Sequence, residues 1–288
     1  MTSALQQFDP IRYKTMTRNQ WESAAEAWHR WGNFLSEWLG PATELMLDMA
    51  NIQLGQSVLD VAAGAGNQTL DIARRVGASG SVLATDLSPT ILSYATEVAK
   101  AEGLTNIQTR ELDGESLMEL DAESFDAVVS RVGMIYFPDQ QKALQGMKHV
   151  LKPGGKVAAM VYATADKNGF FSIPVSIIRK RANLPQPLPG QPGPFSLGAP
   201  GVLEQIFAQA GFQEIAVKTV KAPVKLPSAA DCLRFEKESF GALHQMLVEL
   251  SPAEQEETWQ EIEAALREFE TNGQFEGPCE LMIAVGTK

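Results

Sequence analysis

The chain has 288 residues, 44% of them hydrophobic and 20% charged, which suits one large domain with inserts and excludes a disordered chain. Its formal charge of −11 argues against nucleic acid as a ligand, because a long polyanion is held by a cationic surface that displaces its counterions. Two cysteines, Cys232 and Cys279, make neither a disulfide framework nor a thiolate metal site, the opening residues lack a signal-peptide pattern, and no apolar run is long enough to span a bilayer, so a soluble, cytoplasmic, metal-free protein is expected.

Residues 1–17 read as a poorly ordered leader and residues 18–50 as helix, with Trp21, Trp28, Trp31, Leu35 and Trp38 at helical spacing and Gly32 as a break. Short β-rich runs then alternate with amphipathic ones. Strands are expected over 57–61, 81–85, 107–112, 125–130 and 156–162, and helices over 67–76, 89–102 and 140–151. This alternation predicts an α/β fold, a doubly wound and mostly parallel sheet with helices on both faces.

Residues 165–200 differ. An apolar stretch ends in Arg179-Lys180-Arg181, which reads as a solvated helix end. A proline cluster follows at Pro185, Pro187, Pro189, Pro192, Pro194 and Pro200, and the segment is predicted to be a loop or extended cap. A helix from Pro200 to near Gly211, a strand over 212–225 and helices over 228–272 come next, with Ser251-Pro252-Ala253-Glu254 as a capping box. The last strand, 279–285, is free to pair antiparallel. The division expected is a helical lid over 1–50, a core over 51–164, a cap insert over 165–200, and the rest of the core over 201–288 with a helical insert at 228–275.

The chemistry is concentrated at the strand ends. The first strand runs into Asp60-Val61-Ala62-Ala63-Gly64-Ala65-Gly66-Asn67, a tight turn of small residues that lets backbone approach a ligand. The dinucleotide fingerprint fails at Thr69, where a third glycine or alanine belongs, and no Gly-Lys-Ser/Thr phosphate loop is present. Asp60 would repel a pyrophosphate but attract an ammonium or sulfonium, directly or through water. Asp86, at the tip of the second strand, suits two ribose hydroxyls. In Asp113-Gly114-Glu115, at the tip of the third, the acid can accept from an adenine amino group and Gly114 can present its N–H to the ring. Three carboxylates at consecutive strand tips fit a phosphate-free nucleoside with cationic groups, and S-adenosylmethionine is such a molecule.

With Val150-Leu151-Lys152-Pro153-Gly154-Gly155-Lys156-Val157, these motifs stand in the order and spacing of the class I S-adenosylmethionine-dependent methyltransferases, which the chain resembles over roughly residues 55–165 plus the final strand. Ala62, where many relatives have glycine, is similar to the ubiquinone/menaquinone-biosynthesis branch. The resemblance implies a seven-stranded Rossmann-like sheet with its last strand antiparallel. It also implies cofactor contacts from Asp60, Ala62, Gly64, Gly66, Asn67, Asp86, Leu87, Asp113, Gly114, Glu115 and Arg131. In place of the tyrosine-asparagine-histidine-arginine signature of the quinone enzymes stands Trp21 to Trp31, so the acceptor is left open. The several reactive cysteines of the otherwise similar arsenite methyltransferases are absent.

Methyl transfer from a sulfonium is an in-line displacement that asks mainly for alignment and exclusion of water. A base is needed only where the nucleophile carries a proton. Arg131 orients the cofactor carboxylate or an acidic acceptor, or makes a structural ion pair. Tyr136 contacts acceptor, takes a proton, or packs. Of three histidines, His29 is the best placed as a base, ahead of His149 and His244. The tryptophans over 21–38 pack the core or line a lid over an apolar acceptor. The expected partner is a small-molecule methyl acceptor, and the alternative is a non-catalytic S-adenosylmethionine-binding protein.

Overall fold

The computed structural model describes residues 8–188 and 190–288. Asp9 caps the first helix, α1 (Pro10–Arg30), by accepting from the Ile11 and Arg12 N–H groups, with proline at the first helical position. This corrects the reading of 1–17 as a leader from residue 9 onward, while residues 1–7 lie outside the described residues. The Asp9-Pro10 pair was the local signal for that start. The chain turns at Trp31 into α2 (Gly32–Met49).

The alternating region follows as β1 (Ser57–Val61), α3 (Asn67–Val76), β2 (Ser81–Asp86), α4 (Pro89–Ala101), β3 (Ile107–Glu111), β4 (Phe125–Arg131), α5 (Gln140–Val150) and β5 (Leu151–Tyr162). Beyond it come α6 (Gly169–Arg181), α7 (Val202–Gln209), β6 (Gln213–Lys221), β7 (Val224–Leu226), α8 (Ala229–Ser239), α9 (Gly241–Leu247), α10 (Pro252–Leu266), β8 (Glu270–Thr271), β9 (Gln274–Gly277) and β10 (Glu280–Thr287).

Seven strands form one sheet in the order β3-β2-β1-β4-β5-β10-β6. The first five are parallel, and β10 enters antiparallel between β5 and β6, pairing Ile283 with both Met160 and Lys218. The chain order reverses between β1 and β4, the switch point beyond which ligands of open α/β sheets bind. β1 is apolar and buried at Val58, Leu59 and Val61, as a central strand covered on both faces must be.

Within 165–200, residues 169–181 form the helix whose end Arg179-Lys180-Arg181 marked: Phe170, Phe171, Pro174 and Ile178 are buried along one face, and buried Asn168 anchors its start by donating to the Thr164 carbonyl and accepting from the Glu280 N–H. Its basic end is exposed at Lys180 and Arg181, and Arg181 pairs with Glu257 and Glu261 of α10. One expectation is corrected. The strand expected over 212–225 breaks at 222–223 into β6 and β7, and β7 joins β9 and β8 in a separate three-stranded sheet.

Candidate functional site

A cavity of about 930 Å3, open mouth included, lies at the carboxyl ends of β1, β2 and β4. Its floor is the turn after β1, its sides are Asp86 and Leu87 after β2 and Leu112 and Gly114 after β3, and its far end is Arg131, Val132 and Gly133 after β4. Thr17, Trp21 and Trp28 of α1, Tyr136, Tyr162 and Phe240 complete the wall.

The turn is shaped by its small residues. Ala62 and Gly64 are in the left-handed region at φ of 57° and 58°. Val132 is there as well, at 60°, where a β-branched residue is strained. Gly66 has φ of 91°, and a Cβ on it would sit 2.7 Å from the Ala95 Cβ. It lets α3 start hard against α4 and does not line the cavity. A Cβ on Gly114 would come within 2.5 Å of the Phe137 ring.

The acids part company. Asp86 lines the cavity and accepts from the Gly64 N–H at 3.0 Å through Oδ2 and from the Ser88 N–H at 3.0 Å through Oδ1, so each oxygen keeps a lone pair for a further donor. Burial raises its pKa, opposed by those N–H donors. Asp60, Asp113 and Glu115, from which the resemblance implied cofactor contacts, do not line the cavity. Asp60 is fully buried behind the turn, accepting from Gln68 Nε2 at 2.8 Å and Thr69 Oγ1 at 2.6 Å. Thr69, which spoils the dinucleotide fingerprint, is thus the group that turns Asp60 inward. Lys14 Nζ of α1 takes Asp113 at 2.6 Å and Glu115 at 2.5 Å, and Glu115 also accepts from the Asp139 N–H.

Arg131 is buried and lines the cavity. Its only hydrogen-bond partner among the described residues is Thr43 Oγ1, which accepts from Nη1 at 3.0 Å. Among the described residues no carboxylate stands within ion-pair distance of it, so the alternative of a structural ion pair falls away. Burial lowers its pKa, and the more distant Asp60 and Asp71 oppose that. A buried guanidinium with most of its donors unspent is a built receptor for an anion.

Asn67 and Tyr136 line the cavity, and burial pushes the Tyr136 phenol up, against a role as proton acceptor at neutral pH. His29 does not line it and stacks on Tyr94 with ring centroids 4.6 Å apart. Its assignment as a base is corrected, because it faces α4. Trp21 and Trp28 form a T-shaped pair, and Trp21 meets Tyr136 edge-on. Tyr162 and Phe240 escaped the sequence reading. The position of Tyr162 at the end of a central strand was a usable signal, whereas nothing local marked Phe240.

Two results are expected here. Burial raises the Asp60 pKa from 3.8 to about 6. A carboxyl raised on folding favours the native state below its unfolded value, and that contribution is lost as pH climbs through the folded value. Stability of the native chain relative to Asp60→Asn should therefore fall between about pH 4 and pH 6, by up to about 3 kcal/mol, as read by denaturant melts across that range. Replacing Lys14 by methionine strands two acids at the α1 contact, and should cost about 1–2 kcal/mol and speed amide exchange at the start of α1.

A turn of small residues after β1, an acid at the tip of β2, and a seven-stranded sheet with an antiparallel strand inserted next to its edge define the class I S-adenosylmethionine-dependent methyltransferase fold. Within that class, residues 42–173 match the ubiE/COQ5 methyltransferase family. The chain is 34% identical over 143 residues to the protein Rv1405c of Mycobacterium tuberculosis, covering 50% of this chain and 49% of that one. It is 33% identical over 118 residues to the ubiquinone/menaquinone biosynthesis C-methyltransferase UbiE of Idiomarina loihiensis, covering 41% and 47%. The chain thus spans about half the length of the curated relatives it matches. Among solved structures, the YcgJ protein of Bacillus subtilis superposes with a TM-score of 0.55 at 19% identity, covering 86% of this chain and 98% of that one. Phosphoethanolamine N-methyltransferase 2 of Haemonchus contortus, in complex with phosphomonomethylethanolamine and S-adenosylhomocysteine, gives 0.54 at 19%, covering 86% and 52%. The [4+2]-cyclase SpnF gives 0.54 at 18%, covering 85% and 80%. Among the described residues no helix is long and apolar enough to cross a membrane, and no cluster of metal-ligating side chains occurs.

Proposed function

We propose that the chain binds S-adenosylmethionine and transfers its methyl group to a small, partly apolar molecule. The observation that carries this reading is the pairing, in one cavity, of Asp86 at one end with the buried, carboxylate-free guanidinium of Arg131 at the other. The first suits a ribose and the second an amino-acid carboxylate, and no phosphate-binding loop stands between them. The Gly114 turn, which a Cβ would close, and the apolar flanks of Leu87 and Leu112 suit a flat base.

When bound, the cofactor supplies an electrophilic methyl group on a sulfonium. The chain does the rest by position. Asp86 accepts the ribose hydroxyls and, through the Gly64 N–H, holds the turn in register with β2. Asp60 stiffens that turn from behind. Trp21, Trp28, Tyr136, Tyr162 and Phe240 wall the acceptor side and keep water out. The net negative charge and the walled cavity favour a small molecule over a polymer.

Calorimetry with S-adenosylhomocysteine and with NAD tests the cofactor: binding of the first and not the second is expected, and the reverse sinks the reading. Incubation with methyl-labelled S-adenosylmethionine and a metabolite extract, followed by mass spectrometry, should give a labelled small molecule. Tight S-adenosylhomocysteine binding with no labelled product would point to the non-catalytic alternative.

A further inference from the structure

Two buried side chains of α8, behind the aromatic end of the cavity, carry polar atoms with no hydrogen-bond partner among the described residues. Glu236 is fully buried, its Oε1 receives only the Cys232 thiol at 3.9 Å, and its Oε2 has no hydrogen-bond partner among the described residues. Ser239, 1% exposed, likewise has an unpartnered Oγ. They stand three residues apart on α8 and so share one face. The C-terminal end of α8 adjoins the cavity wall through its main chain, although neither side chain itself lines the cavity. The Phe240 N–H donates to the Glu236 carbonyl at 2.9 Å, Trp28 Nε1 donates to the Ser239 carbonyl at 2.8 Å, and the Phe240 and Trp28 rings both line the cavity. Buried polar atoms without partners cost stability and are rare in native structures. One such atom can be a packing accident, but two on one helix face beside a ligand cavity form a built feature.

We infer that Glu236 and Ser239 form a polar niche, reached past Phe240, that holds a hydroxyl group of the methyl acceptor. Each of the two groups, a hydroxyl and a buried carboxyl, can both accept and donate. A hydroxyl matches them by both donating and accepting, and it enters a buried site without the desolvation cost that an ammonium or a carboxylate carries. The surroundings, with Phe171 4.6 Å and Phe235 5.5 Å from Phe240 by ring centroids, suit an otherwise apolar, ring-bearing molecule. Burial raises the Glu236 pKa, which keeps the niche from attracting a stray cation. Both side chains act as positioning residues that select the acceptor and set its orientation. This inference rests on the function proposed above.

The test uses the full chain loaded with S-adenosylhomocysteine and two probes of similar size, 1-naphthol and 1-methylnaphthalene, which differ in a hydroxyl against a methyl group. Wild type should bind the naphthol at least about tenfold more tightly. Glu236→Met and Ser239→Ala should erase most of that preference, and Glu236→Gln, which still offers an oxygen, should keep part of it. All three variants should bind S-adenosylhomocysteine as wild type does, and Glu236→Met should melt at the same or a higher temperature, because it removes an orphaned buried acid. Absence of a preference in wild type, an unchanged preference in Glu236→Met, or a lowered melting temperature in that variant overturns the niche. Failure of wild type to bind S-adenosylhomocysteine overturns instead the cofactor reading beneath it.

Discussion

Arg131→Met should produce two effects of opposite sign. S-adenosylhomocysteine binding should weaken by about 2–5 kcal/mol, the usual loss when one member of a buried, hydrogen-bonded charge pair is truncated. The protein without ligand should hold its melting temperature or gain, because the substitution removes a buried cation with no carboxylate beside it and leaves the Thr43 hydroxyl still donating to the Leu39 carbonyl. Adenosine, which lacks the amino-acid arm, should bind both forms alike. Calorimetry with the two ligands and a thermal melt decide the matter. If adenosine and S-adenosylhomocysteine lose affinity equally, Arg131 serves the fold and not an anion.

Asp86→Ala should act in one direction on both quantities. The ligand loses the acceptor of its ribose hydroxyls, for about 1–3 kcal/mol in S-adenosylhomocysteine affinity. The protein loses the acceptor of the Gly64 and Ser88 N–H groups, so the turn after β1 keeps only the Ala63 N–H to Thr85 carbonyl bond as its main-chain tie to β2, and the melting temperature should fall. An unchanged affinity by calorimetry would remove Asp86 from the binding site. The two variants together distinguish a residue held in place by the fold from one held in readiness for a ligand.

The parallel core was legible in the sequence because its signals are local. β1, β2 and β3 run into turns of small or acidic residues, and Ser88 and Asp139 cap the amphipathic helices α4 and α5. Asp86 could be placed on the cavity because a strand tip leaves a side chain few directions to take. Asp113 and Glu115 could not, since their partner Lys14 lies 99 and 101 positions away and no periodicity reports a pairing of that range. Asp60 was misdirected for a different reason. Its partners Gln68 and Thr69 are close in sequence, but only the turn of α3 brings both under the carboxylate. His29 sits on a helix bordered by several elements, so spacing alone did not say which neighbour it faces. The strands β7, β8 and β9 are 3, 2 and 4 residues long, too short for alternation to show.

The likeness to the ubiE/COQ5 family covers residues 42–173, and the cavity straddles that boundary. The turn, Asp86, Gly114, Arg131, Tyr136 and Tyr162 fall inside it, while Thr17, Trp21, Trp28 and Phe240 fall outside. The family match therefore reaches one half of the chamber wall and stops short of the other. Chemistry resides in the site rather than in the fold, so likeness in the sheet carries little information about which compound the chamber takes.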